Sequence, residues 1–337
     1  MTDEITLFTP MLLALAATGF ALVALAMGPL RRYLINRDLL ARPNERSNHT
    51  VPTPQGGGLV VIAVLLPLWW LVADRPTLHV LVPAFVLAAL SWLDDKHSLS
   101  PLVRFSSHIL AVAIALWVEP TLAQPLADIL PRPVAVAIIA VGWVWFINLF
   151  NFMDGIDGIT GAETAAIGLG VAAVVMMAGL ALDLGALGIC AVAVACGFLL
   201  WNWHPARIFL GDVGSVPLGF LLGWLLLSLA AQGPWAAALI LPAYYLSDAT
   251  ITLLRRLARG EKVWRAHREH FYQRPVIAGV PHSRVTLEIV ACNLVLIGIA
   301  VFQAQLHPLL ACAMAAVPVI ILLVSLHHAG TRRNTGG

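Results

Sequence analysis

Between Asn148 and Gly158 an otherwise apolar segment ends in two carboxamides and two carboxylates, Asn148, Asn151, Asp154 and Asp157. A charge at the centre of a membrane span costs roughly 2.5 to 3.5 kcal/mol on insertion scales, so such groups are retained chiefly where something binds them. Other clusters share this character. Asp94 and Asp95 close one apolar run, and Asp212 sits between glycines just ahead of another. Arg46 and His49 lie in a stretch rich in proline that ends in Gly56, Gly57 and Gly58, where they could meet a phosphate. His267, Arg268, Glu269 and His270 lie in the most densely charged loop. Hard oxygen donors without cysteine suit Mg²⁺ or Mn²⁺ better than zinc, and Mg²⁺ keeps waters while bridging substrate phosphates. Carboxylates combined with Arg, Lys and His point to phosphoryl chemistry, in which positioning and charge neutralisation do most of the catalysis.

Each cluster also has a plainer explanation. The loop of Arg46 and the loop of His267 read as basic segments touching anionic lipid, the Asp94 and Asp95 pair as a solvated helix end, and Asp212 as a helix cap. A calcium loop fits poorly, because the acids stop after two and Glu163 is misplaced for the twelve-residue pattern. If helical, Asp94 and Asp95 point about 100 degrees apart and can have different jobs. Asp154 and Asp157 share a face with Asn151 if the helix persists, whereas Gly155, Gly158 and Gly161 allow an irregular turn instead. For Asp248, inside an apolar run, pairing with a basic group and support of catalysis both stand open.

The elements that position these groups follow from composition. Of 337 residues 60% are hydrophobic and 11% charged, with a mean hydropathy of +0.86. That is too little polar surface to coat a soluble protein, so the chain reads as an all-α polytopic membrane protein whose first partner is the lipid bilayer, with no nucleic acid among its partners. Spans are expected at 7–30, 57–73, 78–93, 103–118, 133–151, 161–180, 186–202, 214–231, 235–255, 285–303 and 308–327, about eleven helices in one integral membrane domain covering 1–337. The first is read as a retained span and not a cleaved signal, because its leader is acidic and Arg31 and Arg32 follow directly. With the N-terminus outside, eighteen of the twenty Lys and Arg residues fall on the cytoplasmic side, and only Arg75 and Arg132 fall outside. Asp94, Asp95, Asp154, Asp157, Asp212 and the histidine loop then share that face, which is the expected active-site face. Cys190, Cys196, Cys292 and Cys312 lie in apolar runs without metal-ligand spacing and read as filler, with neither disulfide nor zinc site.

From about Arg42 to His270 the chain resembles the polyprenyl-phosphate N-acetylhexosamine-1-phosphate transferases. The likeness is carried by the loop ending Gly56 to Gly58, Asp94 and Asp95, Asn148 to Gly158, Asn202, Gly211 to Ser215 and the late histidine loop. It implies attack of a polyprenyl phosphate on the β-phosphate of a UDP-N-acetyl sugar at the cytoplasmic face of the bacterial inner membrane, releasing UMP and initiating O-antigen or other cell-envelope polysaccharide. It also implies a periplasmic N-terminus and allows a homodimer. By position, Asp212 resembles the principal Mg²⁺ ligand, helped by one of Asp94 and Asp95, with Asp95 assigned to the metal; the other orients or deprotonates the lipid phosphate. Asn151, Asp154 and Asp157 resemble the uridine and diphosphate wall, with Asn202 a neighbouring contact. Glu269 stands where that family carries a histidine. This leans away from a pentapeptide-bearing substrate and leaves N-acetylglucosamine or a 6-deoxy sugar such as N-acetylfucosamine or N-acetylquinovosamine. Two rivals are a secondary transporter and a CDP-alcohol phosphotransferase. The first predicts acids at mid-span, and the second an Asp-Gly-x-x-Ala-Arg motif, whereas Asp154-Gly155 here continues with Ile156 and Asp157.

Overall fold

The computed structural model describes residues 2–43, 51–73, 77–97, 99–262 and 267–331, so Arg46 and His49 lie outside the described residues. Its helices are α1 (Thr2–Asn36), α2 (Gly58–Val72), α3 (Leu78–His97), α4 (Pro101–Val118), α5 (Gln124–Ala127), α6 (Arg132–Phe152), α7 (Ile159–Ala178), α8 (Leu182–Asn202), α9 (Asp212–Ala231), α10 (Trp235–Ile240), α11 (Ala243–Ala258), α12 (Gln273–Ile277), α13 (His282–Phe302) and α14 (Pro308–Thr331). Among the described residues nine of these are long and apolar enough to cross a membrane: α1, α3, α4, α6, α7, α8, α9, α13 and α14. The chain is a multi-pass, all-α membrane protein.

Two of the eleven expected spans take a different form. Helix α2 has 15 residues, a rise of about 22 Å against a hydrocarbon core of about 30 Å. The segment expected as one span at 235–255 is divided into α10 and α11 at Leu241 and Pro242. Proline lacks the N–H that an unbroken helix needs and its ring crowds the preceding turn.

Helix α9 is the central pillar. Of its apolar stretch 94% is buried, against 17% for α1 and 28% for α4. It packs against α2, α3, α6, α7 and α10. Outward side chains such as Leu25, Trp117 and Met176 are exposed, as expected of faces turned to lipid.

The N-terminal end of α9 is fixed by a small ribbon. Strand β1 (Leu40–Ala41) pairs antiparallel with β2 (Thr53–Pro54). Beyond β2 the N–H groups of Gly56 and Gly57 donate to Phe209 O at 3.1 and 2.8 Å, and that of Gly58 to Leu210 O at 2.9 Å. Helix α2 therefore starts directly against the start of α9. A Cβ on Gly58 would lie 2.3 Å from Gly214 Cα, so the two helix ends approach at backbone distance and only glycine fits. This accounts for the glycine run that the sequence shows.

Substitution of Gly58 by Ala is expected to destabilise the protein by about 1 to 3 kcal/mol, since neither backbone can yield cheaply. Gly142→Ala, at a position where an added Cβ meets nothing within 4 Å, serves as control. Thermal unfolding in detergent should show a lower midpoint for Gly58→Ala alone; equal midpoints would refute the close-approach account.

Candidate active site

The end of α3 and the start of α4 hold the first acids. Asp94 is buried and both its oxygens are engaged: Leu99 N–H donates to Oδ1 at 2.6 Å and Arg104 Nη1 to Oδ2 at 2.9 Å. Arg104 stands in the first turn of α4, whose start is set by Pro101 and by the Ser100 hydroxyl accepting from Val103 N–H. The same guanidinium nitrogen lies 3.9 Å from Asp212 Oδ2, so Arg104 stands between two carboxylates. Asp95 is exposed, faces Gln55 Nε2 at 3.5 Å, and shares its electrostatic field with Asp212 and Asp94. The adjacent aspartates are thus placed differently, one as an anchor and one open.

Helix α6 ends at Phe152, so the stretch from Met153 to Gly158 is an irregular turn. Asn148 is still helical and donates to Val144 O of its own helix at 2.7 Å. Asn151 Oδ1 accepts from Ser215 Oγ at 2.8 Å, and its amide bonds to Asp212, the first residue of α9. Asp154 is half-buried and accepts from Thr160 Oγ1 at 2.7 Å. Burial raises its pKa to about 7; the Thr160 bond opposes that, and the nearby charges of Asp212 and Asp157 add to it. Asp157 behaves oppositely. Burial again disfavours its charge, but hydrogen bonds from His282 and His204 and from Ala206 N–H outweigh it and hold the pKa below the usual carboxylate range. His204 Nδ1 is 2.6 Å from Asp157 Oδ2, and His282 Nδ1 is 3.2 Å from Oδ1. Asn202 ties the turn to the next loop, accepting from Gly158 N–H and donating to Ile208 O, both at 2.9 Å.

Among the described residues, Asp157, His204 and His282 are the one group of three potential ligands whose donor atoms come within 4.8 Å of one another. Their mutual hydrogen bonds make them a clamp on the turn, and an imidazole-rich set suits a transition metal more than Mg²⁺. Asp212, bonded by the Asn151 amide, and Asp95, which feels its charge, carry harder oxygen donors.

The late loop is built around Asp248. That carboxylate is fully buried and accepts from Phe271 and Tyr272 N–H at 3.0 and 3.1 Å, His270 Nδ1 at 3.1 Å, Tyr244 hydroxyl at 3.0 Å and Thr252 hydroxyl at 3.2 Å. The sequence left pairing with a basic group and support of catalysis open for Asp248; its contacts include His270 as the one basic partner among the described residues and otherwise describe a third role, anchoring of the loop by backbone N–H groups and hydroxyls. His267 stacks on His270 with ring centroids 4.9 Å apart, and burial, then His270 and Arg256, push its pKa down to about 4. Arg268 is half-buried beside them. Glu269 is gripped by Arg259 and lies 3.4 Å from Arg256, both of which also bind Glu261. The loop reaches the turn after α6 through Tyr272, whose hydroxyl donates to Phe152 O at 3.1 Å.

Two cavities meet at Asn151 and Asp212. The first, about 240 Å³, is lined by Asp154, Asp157, Asn202, Gln55, Gln273 and His282 among others. The second, about 250 Å³, lies between α3, α4, α6 and α9, where Asp94, Arg104, Ser107, His108 and Asn148 meet the exposed apolar Val103, Phe105 and Phe152. Asp95, His267, Arg268, Glu269 and His270 line neither; the late loop contributes Gln273 and the α13 start contributes His282. Arg104, Gln55, Gln273, His204 and His282 are the lining or clamping residues that the sequence did not single out. For Arg104 a signal was present, since Ser100-Pro101 marks a helix start one turn before it. None links Asp157 to His282, 125 residues away.

The profile of the family described as "Glycosyl transferase family 4" matches residues 77–230. The chain is 28% identical over 287 residues, 80% of its own length and 78% of the relative's, to a Bacillus subtilis protein named "Probable undecaprenyl-phosphate N-acetylglucosaminyl 1-phosphate transferase". It is 28% identical over 322 residues, 82% of its length and 78% of the relative's, to the decaprenyl-phosphate N-acetylglucosaminephosphotransferase of Mycobacterium tuberculosis. To the phospho-N-acetylmuramoyl-pentapeptide-transferase of Dichelobacter nodosus it is 24% identical over 353 residues, 90% of its length and 96% of the relative's.

The two turn acids should respond oppositely to neutralisation. With its pKa raised to about 7, Asp154 contributes stability that is complete below the unfolded value of 3.8 and is lost as pH rises toward 7. Asp154→Asn should therefore gain thermal stability relative to wild type at pH 8 and not at pH 4. Asp157, with its pKa depressed, contributes stability above its unfolded pKa that is lost as pH falls through the folded one. Asp157→Asn should cost about 2 kcal/mol at pH 7, the loss of a charge-assisted network. Melting curves of both variants across pH that shift in the same sense would contradict the assignment.

Proposed function

We propose that the chain, whose residues 77–230 match the profile of glycosyl transferase family 4, transfers an N-acetylhexosamine 1-phosphate from a UDP-sugar to a polyprenyl phosphate. The observation that carries this reading is the shared wall of Asn151 and Asp212 between a polar cavity and one bordered by exposed apolar side chains. A nucleotide sugar fits the first and a lipid phosphate the second, so the two phosphates meet at that wall. An oxygen of the lipid phosphate attacks the β-phosphorus of the donor in one direct displacement. The new P–O bond forms as the bond to the bridging oxygen breaks, and UMP leaves with that oxygen.

The residues have separable roles. Asp212, Asn151 and Asp95 offer hard oxygens and would hold Mg²⁺, or Mn²⁺. A divalent cation held by these residues would supply positive charge to offset the negative charge of the diphosphate. Arg104, aimed by Asp94, meets the lipid phosphate from the membrane side. Asp94, which lines the second cavity with Arg104, orients that phosphate through the guanidinium, while Asp95, the open member of the pair, is left for the cation. Asp154, Asp157 and their supports form the wall on the donor side. Since Glu269 is engaged by Arg256 and Arg259, selection of the sugar falls to Gln273 and His282. The names of the Bacillus and Mycobacterium relatives support N-acetylglucosamine as the first sugar. The product, a lipid-linked sugar diphosphate, would initiate O-antigen or another cell-envelope polysaccharide on undecaprenyl phosphate at the cytoplasmic face of the bacterial inner membrane, with the N-terminus periplasmic.

Purified protein incubated with polyprenyl phosphate, Mg²⁺ and UDP-N-acetylglucosamine, N-acetylfucosamine or N-acetylquinovosamine should release UMP with at least one donor. Asp212→Asn should lower the rate by about 100-fold or more, the scale of removing a main electrostatic support. A folded preparation that releases no UMP with any donor would overturn the proposal.

A further inference from the structure

Below Asp154 a row of polar side chains runs into the membrane-spanning part of the protein, and the transfer reaction as described uses none of them. Thr160, in the first turn of α7, donates to Asp154 Oδ1 at 2.7 Å. One turn on, Glu163 is fully buried, and its Oε2 accepts from Asn293 Nδ2 of α13 at 2.7 Å. Tyr245 of α11 is also fully buried, and its hydroxyl interacts with both Thr160 and Glu163 without forming a well-shaped hydrogen bond to either. Glu163 Oε1, Asn293 Oδ1 and the Tyr245 hydroxyl are left as buried polar atoms without partners. Three helices therefore bring an acid, an amide and a phenol together where apolar side chains would pack at no desolvation cost.

The donor inventory gives this row a direction. Asn293 donates to Glu163, and Thr160 donates to Asp154. Tyr245 has one proton, with Thr160 in hydrogen-bonding reach on one side and the Glu163 carboxyl acting on it through space from the other. If the Glu163 carboxyl carries its proton, it donates to the Tyr245 oxygen, Tyr245 donates to Thr160, and every hydroxyl points toward Asp154. No Lys, Arg or His forms an ion pair with Glu163 among the described residues, so no cation competes with that arrangement. Chains of this kind fix the orientation of the group at their end.

We propose that Glu163, with Asn293 and Tyr245, is a positioning device for Asp154, an intramembrane strut of hydrogen bonds that aims this carboxylate at the donor side of the site. The inference rests on the reading of Asp154 as part of the donor wall.

Steady-state kinetics of the full-length protein in nanodiscs test it, with UMP release measured while UDP-sugar and polyprenyl phosphate are varied separately. Glu163→Leu and Tyr245→Phe should raise KM for the UDP-sugar about tenfold while kcat and KM for polyprenyl phosphate stay within about threefold. Glu163→Gln, whose amide can accept from Asn293 and donate to Tyr245, should stay within about threefold of wild type in all three constants. A merely structural role would lower the active fraction and leave both KM values in place. Tyr245→Phe removes a single oxygen and carries the test by itself if Glu163→Leu does not fold. Donor KM values of Tyr245→Phe and Glu163→Leu within about twofold of wild type would overturn the inference, as would a Glu163→Gln enzyme no better than Glu163→Leu. A wild-type protein that releases no UMP would overturn the transferase reading, and this inference with it.

Discussion

Mutual repulsion among Asp94, Asp95, Asp154, Asp157 and Asp212 is the constraint on which the rest of this structure depends. The acids come from two helix ends and one turn, and in water they would separate. They stay together because each sits on a rigid frame. Asp212 opens the most enclosed helix, α9. Asp94 is fixed by Arg104 and by the Leu99 N–H, and Asp157 by two histidines. The pairing of Gly56, Gly57 and Gly58 with Phe209 and Leu210 holds the start of α9 against α2, so the frame and the acid share one set of backbone bonds. A site assembled in this way repels itself when empty and gains when cations and donor groups enter, which is how preorganised electrostatic sites lower barriers.

The frame also lets chemically identical side chains differ. Asp157 is surrounded by donors and stays ionised, while Asp154 lies in a drier environment with its pKa raised to about 7. Environments that push two carboxylates apart in this way separate a permanent structural charge from one that responds to ligands. Asp94 and Asp95 repeat the division in a different form, through saturation of one with hydrogen bonds and exposure of the other.

Much of this was legible in the sequence because apolar runs and the acids that end them are local signals. Nine of the eleven expected spans, the glycines at the α2 start and the gathering of acids at one end required only periodicity, breaker residues and the distribution of Lys and Arg. Other features depend on partners far away in the chain. Asp248 left pairing with a basic group and support of catalysis open, and beside His270 its donors include backbone N–H groups 23 and 24 residues on, which no composition rule can anticipate. Glu269 sat in a motif position facing substrate by resemblance, yet two arginines from the end of α11 hold it. The break at Pro242 was visible as a residue and was overridden by the length of the apolar run around it. His204 and His282 had no signal at all, since their partner Asp157 is brought to them only by the packing of α7, α8 and α13.

The central claim is that Asp212 and Asn151, on the wall shared by the two proposed substrate cavities, hold the metal with Asp95 beside them, while the nearby Asp157, His204 and His282 cluster is a structural clamp. Anomalous scattering from crystals grown with Mn²⁺ and UMP measures this directly. The account predicts a manganese peak bounded by Asp212, Asn151 and Asp95 and shared with a phosphate oxygen. A peak seated among Asp157, His204 and His282, with none beside Asp212, would contradict it.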